Sequence, residues 1–279
     1  SIEQLRVAGQ HDAALAALCK DTQSELSDAD RTRLVVKYLS ALGASEGAAL
    51  LRGATWLSEK SPDALLTVFA ELREPGVRPL PVADIEAFMD HAAPRLKYGV
   101  FERLHAAYSD AATSINRRPG RKGEGERQGG GADVVQWRAL YLGDIAVVLV
   151  KLHAARLREL HGTRHGNISG TPTASAAEAP TLIRKLDELL SGCEVFSSQQ
   201  SQAMLEALQI PPSAAPVSAP SDDGEHARAG ALTAPSLDGW MAAQREVLLS
   251  RLHRHEDALV LLARELRDAP RALAYCCDH

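Results

Sequence analysis

"LHRHEDALVLLARELRDAPRALAYC", Leu252–Cys276, decides the fold. It reads as a turn, a helix, a second turn at Arg267-Asp268, and another helix. Near the other end the chain says almost the same thing in "VAGQHDAALAALCK", Val7–Lys20. Position by position, Gly9-Gln10-His11-Asp12-Ala13-Ala14-Leu15 faces His253-Arg254-His255-Glu256-Asp257-Ala258-Leu259. Each stretch predicts the tight turn of a helical hairpin. Asp12 and Glu256 stand where the following helix begins, and a helix N-terminus favours negative charge. Ala14 and Ala258 let two helices approach closely, and the leucines after them fill the gap. A weaker copy lies at Asp63-Ala64-Leu65, with Val68 for the following leucine. Such a hairpin cannot bury its apolar face alone, whereas stacked copies can. The expected fold is all-α: a solenoid of stacked helical hairpins, of the clathrin or tetratricopeptide type.

Composition points the same way. The 279 residues are 45% apolar but only 4% aromatic, and Ala and Leu dominate. Those two residues favour helices, whereas sheets favour β-branched and aromatic ones. The net charge of −5 argues against a globally basic, nucleic-acid-binding surface. The cysteines Cys19, Cys193, Cys276 and Cys277 are too few and scattered for a disulfide framework, so reduced thiols are expected. "LYLGDIAVVLVKL" is interrupted by Asp144 and ends at Lys151, so no membrane span is expected. No signal peptide is expected from the opening residues, and the ends suggest a piece of something longer.

Three polar stretches interrupt the helical period: Ser114–Gly131, His161–Pro180 and Pro211–Pro235. They lack the apolar content that offsets ordering entropy, and are expected to be disordered insertions. The resulting organisation is N-terminal repeats at 1–110, a Gly/Arg-rich insertion at 111–132, and central helices at 133–210 with a polar insertion at 161–180. A Pro/Ala/Ser-rich linker at 211–235 and a C-terminal repeat at 236–279 complete it. Between the breaks the predicted apolar stripes are Leu34, Val35, Tyr38, Leu39 and Leu42; then Leu65, Val68, Phe69 and Leu72; then Ile85, Phe88 and Met89. Leu96, Val100, Leu104 and Tyr108 form the next. Val134–Leu160 reads as one long helix striped by Trp137, Tyr141, Ile145, Val148 and Leu152. Another helix follows, with Leu182, Leu186 and Leu189 or Leu190 inward. Ser61 and Pro62 mark one helix start.

No candidate chemistry rises above its structural explanation. Cys276, Cys277 and His279 lack the second ligand pair of a zinc site. A Cys on a repeat helix packs as a small hydrophobe. His161 and His165 have i, i+4 spacing, but a loop is expected there and no Glu stands beside them. His11 and His255 recur at equivalent turns, which favours a capping or packing role. Arg117, Arg118, Arg121 and Lys122 lie among glycines that fit neither phosphate-binding pattern. Their contact with acidic lipid is worth only about 1 kcal/mol per cation. Asn167 matches a glycosylation acceptor, with nothing to place it in the secretory pathway. No catalytic residue, cofactor or metal is expected, and the chain is not expected to be an enzyme.

The C-terminal stretch resembles the clathrin-type helical repeat of the vacuolar-sorting tether subunits. The nearest types are the Rab-proximal subunits of HOPS and CORVET and the animal TGF-beta-receptor-associated protein. The matching positions are His255, Glu256, Ala258, Leu259, Leu262, Leu266, Asp268, Ala272, Tyr275 and Cys276. A second, weaker block is carried by Trp56, Ala64, Leu65, Phe69, Leu80, Pro81, Phe88 and Met89. The resemblance implies a scaffold in an endolysosomal tethering complex, cytoplasmic and peripheral on endosome and lysosome or vacuole membranes. It implies contacts with the class C core subunits, indirect links to a Rab GTPase and SNAREs, and no nucleic acid. The last helix, with Leu273, Tyr275 and Cys276, is the expected protein-binding face. The alternative is a stand-alone helical-repeat adaptor that binds peptides in its concave groove.

Overall fold

The structure is a computed structural model. It describes residues 2–20, 27–70, 77–116, 131–166, 175–191, 196–209 and 237–278. Among them every regular element is helical. The chain divides into two compact units, Ser1–Leu149 and Val150–His279. The division falls inside a helix, within the span that the sequence assigns to one central segment.

The first unit holds α1 (Ile2–Val7), α2 (His11–Cys19), α3 (Asp28–Ser40), α4 (Gly47–Lys60), α5 (Pro62–Ala70), α6 (Val82–Ala92) and α7 (Lys97–Asn116). The first half of α8 (Gly131–Gly166) completes it. Ser27 starts α3 by accepting the Asp30 amide at 3.1 Å. Between α3 and α4 the Gly43 amide donates to the Glu46 carboxylate at 2.9 Å, and the Glu46 amide returns a bond to the Gly43 carbonyl at 3.1 Å. Pro62 opens α5, where the missing amide costs nothing. The Ser61 carbonyl receives the amides of Ala64 and Leu65. The core runs through Val35, Leu39, Leu50, Leu57, Leu65, Ile85, Met89, Phe101 and Leu104, all essentially inaccessible. Phe69 and Phe88 pack 5.8 Å apart, and Tyr108 on α7 meets Tyr141 on α8 at 4.8 Å. Lys97 bonds both Glu86 and Asp90, at 3.1 and 2.8 Å. Burial opposes its charge, but those two carboxylates together raise its pKa.

The second unit holds the rest of α8, then α9 (Ser175–Ser191), α10 (Ser198–Leu208), α11 (Leu237–Arg251), α12 (His255–Val260) and α13 (Ala269–Asp278). Ser197 and Gln200 cap α10 reciprocally: the Gln200 amide donates to Ser197 Oγ at 3.2 Å, and the Ser197 amide donates to Gln200 Oε1 at 3.0 Å. Two arginines satisfy carbonyls at helix C-termini. Arg251 donates to Leu190 O on α9 at 3.0 Å, and Arg158 on α8 donates to Ala207 O and Gln209 O at the end of α10. Such cations also suit the negative end of the helix dipole.

Several expectations need correction. Leu34 is not on the buried stripe of α3; it is 40% exposed, one step off the face set by Val35, Tyr38 and Leu39. The polar insertion at 161–180 is partly helical. α8 carries on to Gly166, so His161 and His165 lie on a helix rather than a loop. Extending an existing helix is cheap compared with nucleating one. α9 begins at Ser175 and contains Pro180. Its first turns are Ala-rich, and Glu178 pairs with Arg156 of α8 at 2.9 Å. Ser114–Asn116, expected in the Gly/Arg-rich insertion, finish α7, and Gly131 starts α8. Both Leu189 and Leu190 are buried. α12 runs on into a single π turn, Leu261–Glu265, closed by the Leu266 amide on the Leu261 carbonyl at 3.0 Å. The wider turn puts the adjacent Leu261 and Leu262 both in the core. Leu72 and the linker 211–235 lie outside the described residues.

Candidate functional site

The two turns that the sequence pairs are the same object. At the first, Gly9 has φ +69°, its amide meets Arg6 O at 3.1 Å, and the Gln10 amide meets Leu5 O at 2.8 Å. At the second, His253 has φ +55°, its amide meets Ser250 O at 3.0 Å, and the Arg254 amide meets Leu249 O at 2.9 Å. Both are Schellman motifs, in which a left-handed residue lets the last helical carbonyls find donors. Gln10 (φ −87°, ψ 58°) and Arg254 (φ −93°, ψ 61°) then turn the chain into the next helix. The third copy does not share this geometry. α4 runs through Lys60 to its cap Ser61, which stands where the histidine would be, and Pro62 takes the place of the acid.

Each histidine is the first residue of its helix, and each reaches across to a tyrosine on the helix after. His11 Nδ1 and the Tyr38 hydroxyl are 2.8 Å apart, and His255 Nδ1 and the Tyr275 hydroxyl are also 2.8 Å apart. The ring pairs lie at similar distances, 6.2 and 5.9 Å between centroids. Burial pushes the Tyr38 phenol up, so it keeps its proton. Behind each clasp, Ala14 and Ala258 are fully buried, with Leu18 and Leu262 following. The repeated unit is therefore three helices, α1–α2–α3 and α11–α12–α13, rather than a hairpin. The sequence points to a capping or packing role for both histidines but does not show their tyrosine partners. The available signal was a tyrosine on the next helix after each histidine.

The modules differ in their supports. In the second, Arg271 of α13 pairs with the buried Glu246 of α11 at 2.5 Å, and Arg245 meets Glu265 at 2.8 Å. Asp268 Oδ1 accepts the Arg271 amide at 3.0 Å and so starts α13. In the first, Asp12 pairs with Arg52 of α4. There α4 also crosses α3 closely: a Cβ at Gly53 would sit 2.6 Å from a Leu39 methyl and 3.2 Å from a Leu15 methyl.

Of the three residues expected on the last helix, Leu273 is 69% exposed and Cys276 is exposed, but Tyr275 is buried. Its hydroxyl belongs to His255, so it holds the module together and offers nothing outward. Among the described residues no group of three His, Cys, Asp or Glu is placed to hold a metal. No single described helix is long and apolar enough to cross a membrane. Cys193, His279, Asn167, Arg117, Arg118, Arg121 and Lys122 lie outside the described residues.

A cleft of about 630 Å³ opens beside the first turn. Arg6, His11, Leu42, Glu46, Val77 and Arg78 line it, with Gly9 at its edge. The Gly43 amide and the Ser45 hydroxyl hold the Glu46 carboxyl below its ordinary range.

Comparison with known proteins found no matching family model, no matching curated protein and no matching solved structure.

Proposed function

We propose that this chain is a scaffold segment of a subunit of an endolysosomal membrane-tethering complex. In this reading it is an α-solenoid of stacked helical units that works through protein contacts rather than turnover. It acts in the cytoplasm, peripherally on endosome and lysosome or vacuole membranes. It links class C core subunits to the Rab-proximal end, and so serves SNARE-dependent fusion indirectly.

One observation carries the reading. The positions of the C-terminal resemblance are those that build the second module. His255 clasps Tyr275, Ala258 and Leu262 are buried behind the clasp, and Asp268 starts α13. A motif made of such positions specifies a packed helical unit, and such units are scaffolds when stacked. The test is binding of the purified chain to purified class C core subunits. Saturable association supports the reading; its absence with both the HOPS and CORVET forms overturns it.

A further inference from the structure

The first module shows what covers a unit of this kind. α4 lies against both α2 and α3. Arg52 of α4 pairs with Asp12 at the start of α2. One residue on, Gly53 sits over Leu39 of α3 and Leu15 of α2: a Cβ there would lie 2.6 Å from a Leu39 methyl and 3.2 Å from a Leu15 methyl. Both leucines are buried. The cover thus rests on an acid and two apolar side chains, and it brings a cation followed directly by a residue with no side chain.

The second module repeats these points and leaves them open. With His255 set on His11 and Tyr275 on Tyr38, Glu256 takes the place of Asp12, Leu259 that of Leu15 and Cys276 that of Leu39. Among the described residues no helix lies against α12 and α13 as α4 lies against α2 and α3. Leu259 is only half-buried, and Cys276 is exposed. Glu256 is exposed, and no described residue pairs with it. Its neighbour Asp257 is already held by Arg254 at 2.7 Å. Leu273, one helical turn before Cys276 and 69% exposed, extends the open surface.

We propose that the face of Glu256, Leu259 and Cys276 binds one helix of a partner protein, and that this helix carries an arginine followed directly by a glycine or an alanine. The arginine meets Glu256, and the small residue lets the backbone come down on Leu259 and Cys276. The cysteine is shorter than the leucine it replaces, so this seat takes alanine as well as glycine. An exposed ion pair adds little affinity, and its part is to set the register of the helix. The proposal is independent of the tethering assignment, and either can fail without the other.

The test uses the helix that fills the matching place in the first module. A labelled peptide of the α4 sequence, Gly47–Lys60, is titrated with the whole chain in reducing buffer and read by fluorescence anisotropy. The chain's own α4 already covers the first module, so the open seat is the second. Glu256→Arg reverses the charge and Cys276→Arg fills the seat; both positions are exposed and neither belongs to a clasp. The expected result is saturable binding, weakened at least about tenfold by each variant, with helical circular dichroism retained. The peptide carrying Arg52→Glu should bind the parent chain more weakly by a similar factor and recover on the Glu256→Arg chain. That recovery separates a charge contact from a loss of structure. Absence of saturable binding overturns the proposal, as does unchanged affinity in either folded variant or failure of the swapped pair to recover. Sedimentation velocity of the chain alone gives one more outcome: self-association abolished by Cys276→Arg makes the occupant a second copy and overturns the partner assignment. Should Cys276→Arg lose helical signal, the swapped pair alone decides.

Discussion

His255 at the start of α12 and Tyr275 on α13, 20 positions apart, share a 2.8 Å hydrogen bond, and the chain between them contains a π turn and a helix start. The bond closes a three-helix module whose left-handed turn residue, His253, is not glycine. A non-glycine residue in that conformation is sustained by its surroundings. Tyr275→Phe should therefore cost roughly 1–2 kcal/mol, since it leaves a half-buried ring nitrogen without its donor or acceptor. His255→Ala should cost at least as much. A double-mutant cycle read by hydrogen exchange in α11–α13 should give a coupling of about 1 kcal/mol. The same cycle on His11 and Tyr38 should give a similar figure in α1–α3. A coupling near zero in both modules would show that the clasps are incidental.

Gly53 tests the crossing of α4 over α3. Alanine is favoured over glycine inside a helix by about 1 kcal/mol. Here the added methyl would press on Leu39 and Leu15, and overpacking of this kind costs about 1–3 kcal/mol. Gly53→Ala should therefore destabilise the first unit by up to roughly 2 kcal/mol in urea denaturation. Adding Leu39→Val should recover part of the loss. A Gly53→Ala variant more stable than the parent would mean that the two leucines move aside freely.

The helical class was legible because the apolar residues recur at helical spacing, and the two-ended repetition exposed the turns. The clasps were hidden by their unequal spacing. His11 and Tyr38 are 27 residues apart and His255 and Tyr275 only 20. The first module places a longer connection between its second and third helices, so a search at fixed period misses the tyrosines. The third copy, Asp63-Ala64-Leu65, has Ser61 in the histidine's place and so no imidazole to offer a tyrosine. The extent of α8 and α9 was hidden for another reason. Residues 161–180 read as small and polar, without the apolar content of a packed helix, whereas the Arg156–Glu178 pair that links the two helices is a long-range fact. Tyr275 is expected to face outward because the resemblance places a protein contact on the last helix, and the sequence does not show that its hydroxyl is held by His255 of the helix before.

His105 on α7 gives the first unit a defined response to acid. Burial lowers its pKa below the ordinary 6.5. The unfolded chain thus binds this proton at a higher pH than the folded chain does. The stability associated with neutral His105 is complete above about 6.5. It is lost as pH falls from there through the folded value, and no further loss from this group follows. His105→Gln should make the first unit less sensitive to pH on the acid side of 6.5. Denaturant midpoints of both proteins across that range check this; parallel curves would exclude His105 as the source.

The exposed side of α13 tests the scaffold reading at named residues. Leu273 and Cys276 face outward, whereas Tyr275 is inside the module. Charging Tyr275 would break the clasp, and any lost binding would then report unfolding. Leu273→Glu and Cys276→Glu avoid that, since neither residue is buried. Each should leave exchange in α11 and α12 unchanged within about 0.5 kcal/mol, as is usual for surface substitutions. If the class C core seats on this helix, the pair should weaken its binding by at least about tenfold, that is 1.4 kcal/mol. Full binding by the doubly charged chain would remove α13 from the interface while leaving the module itself in place.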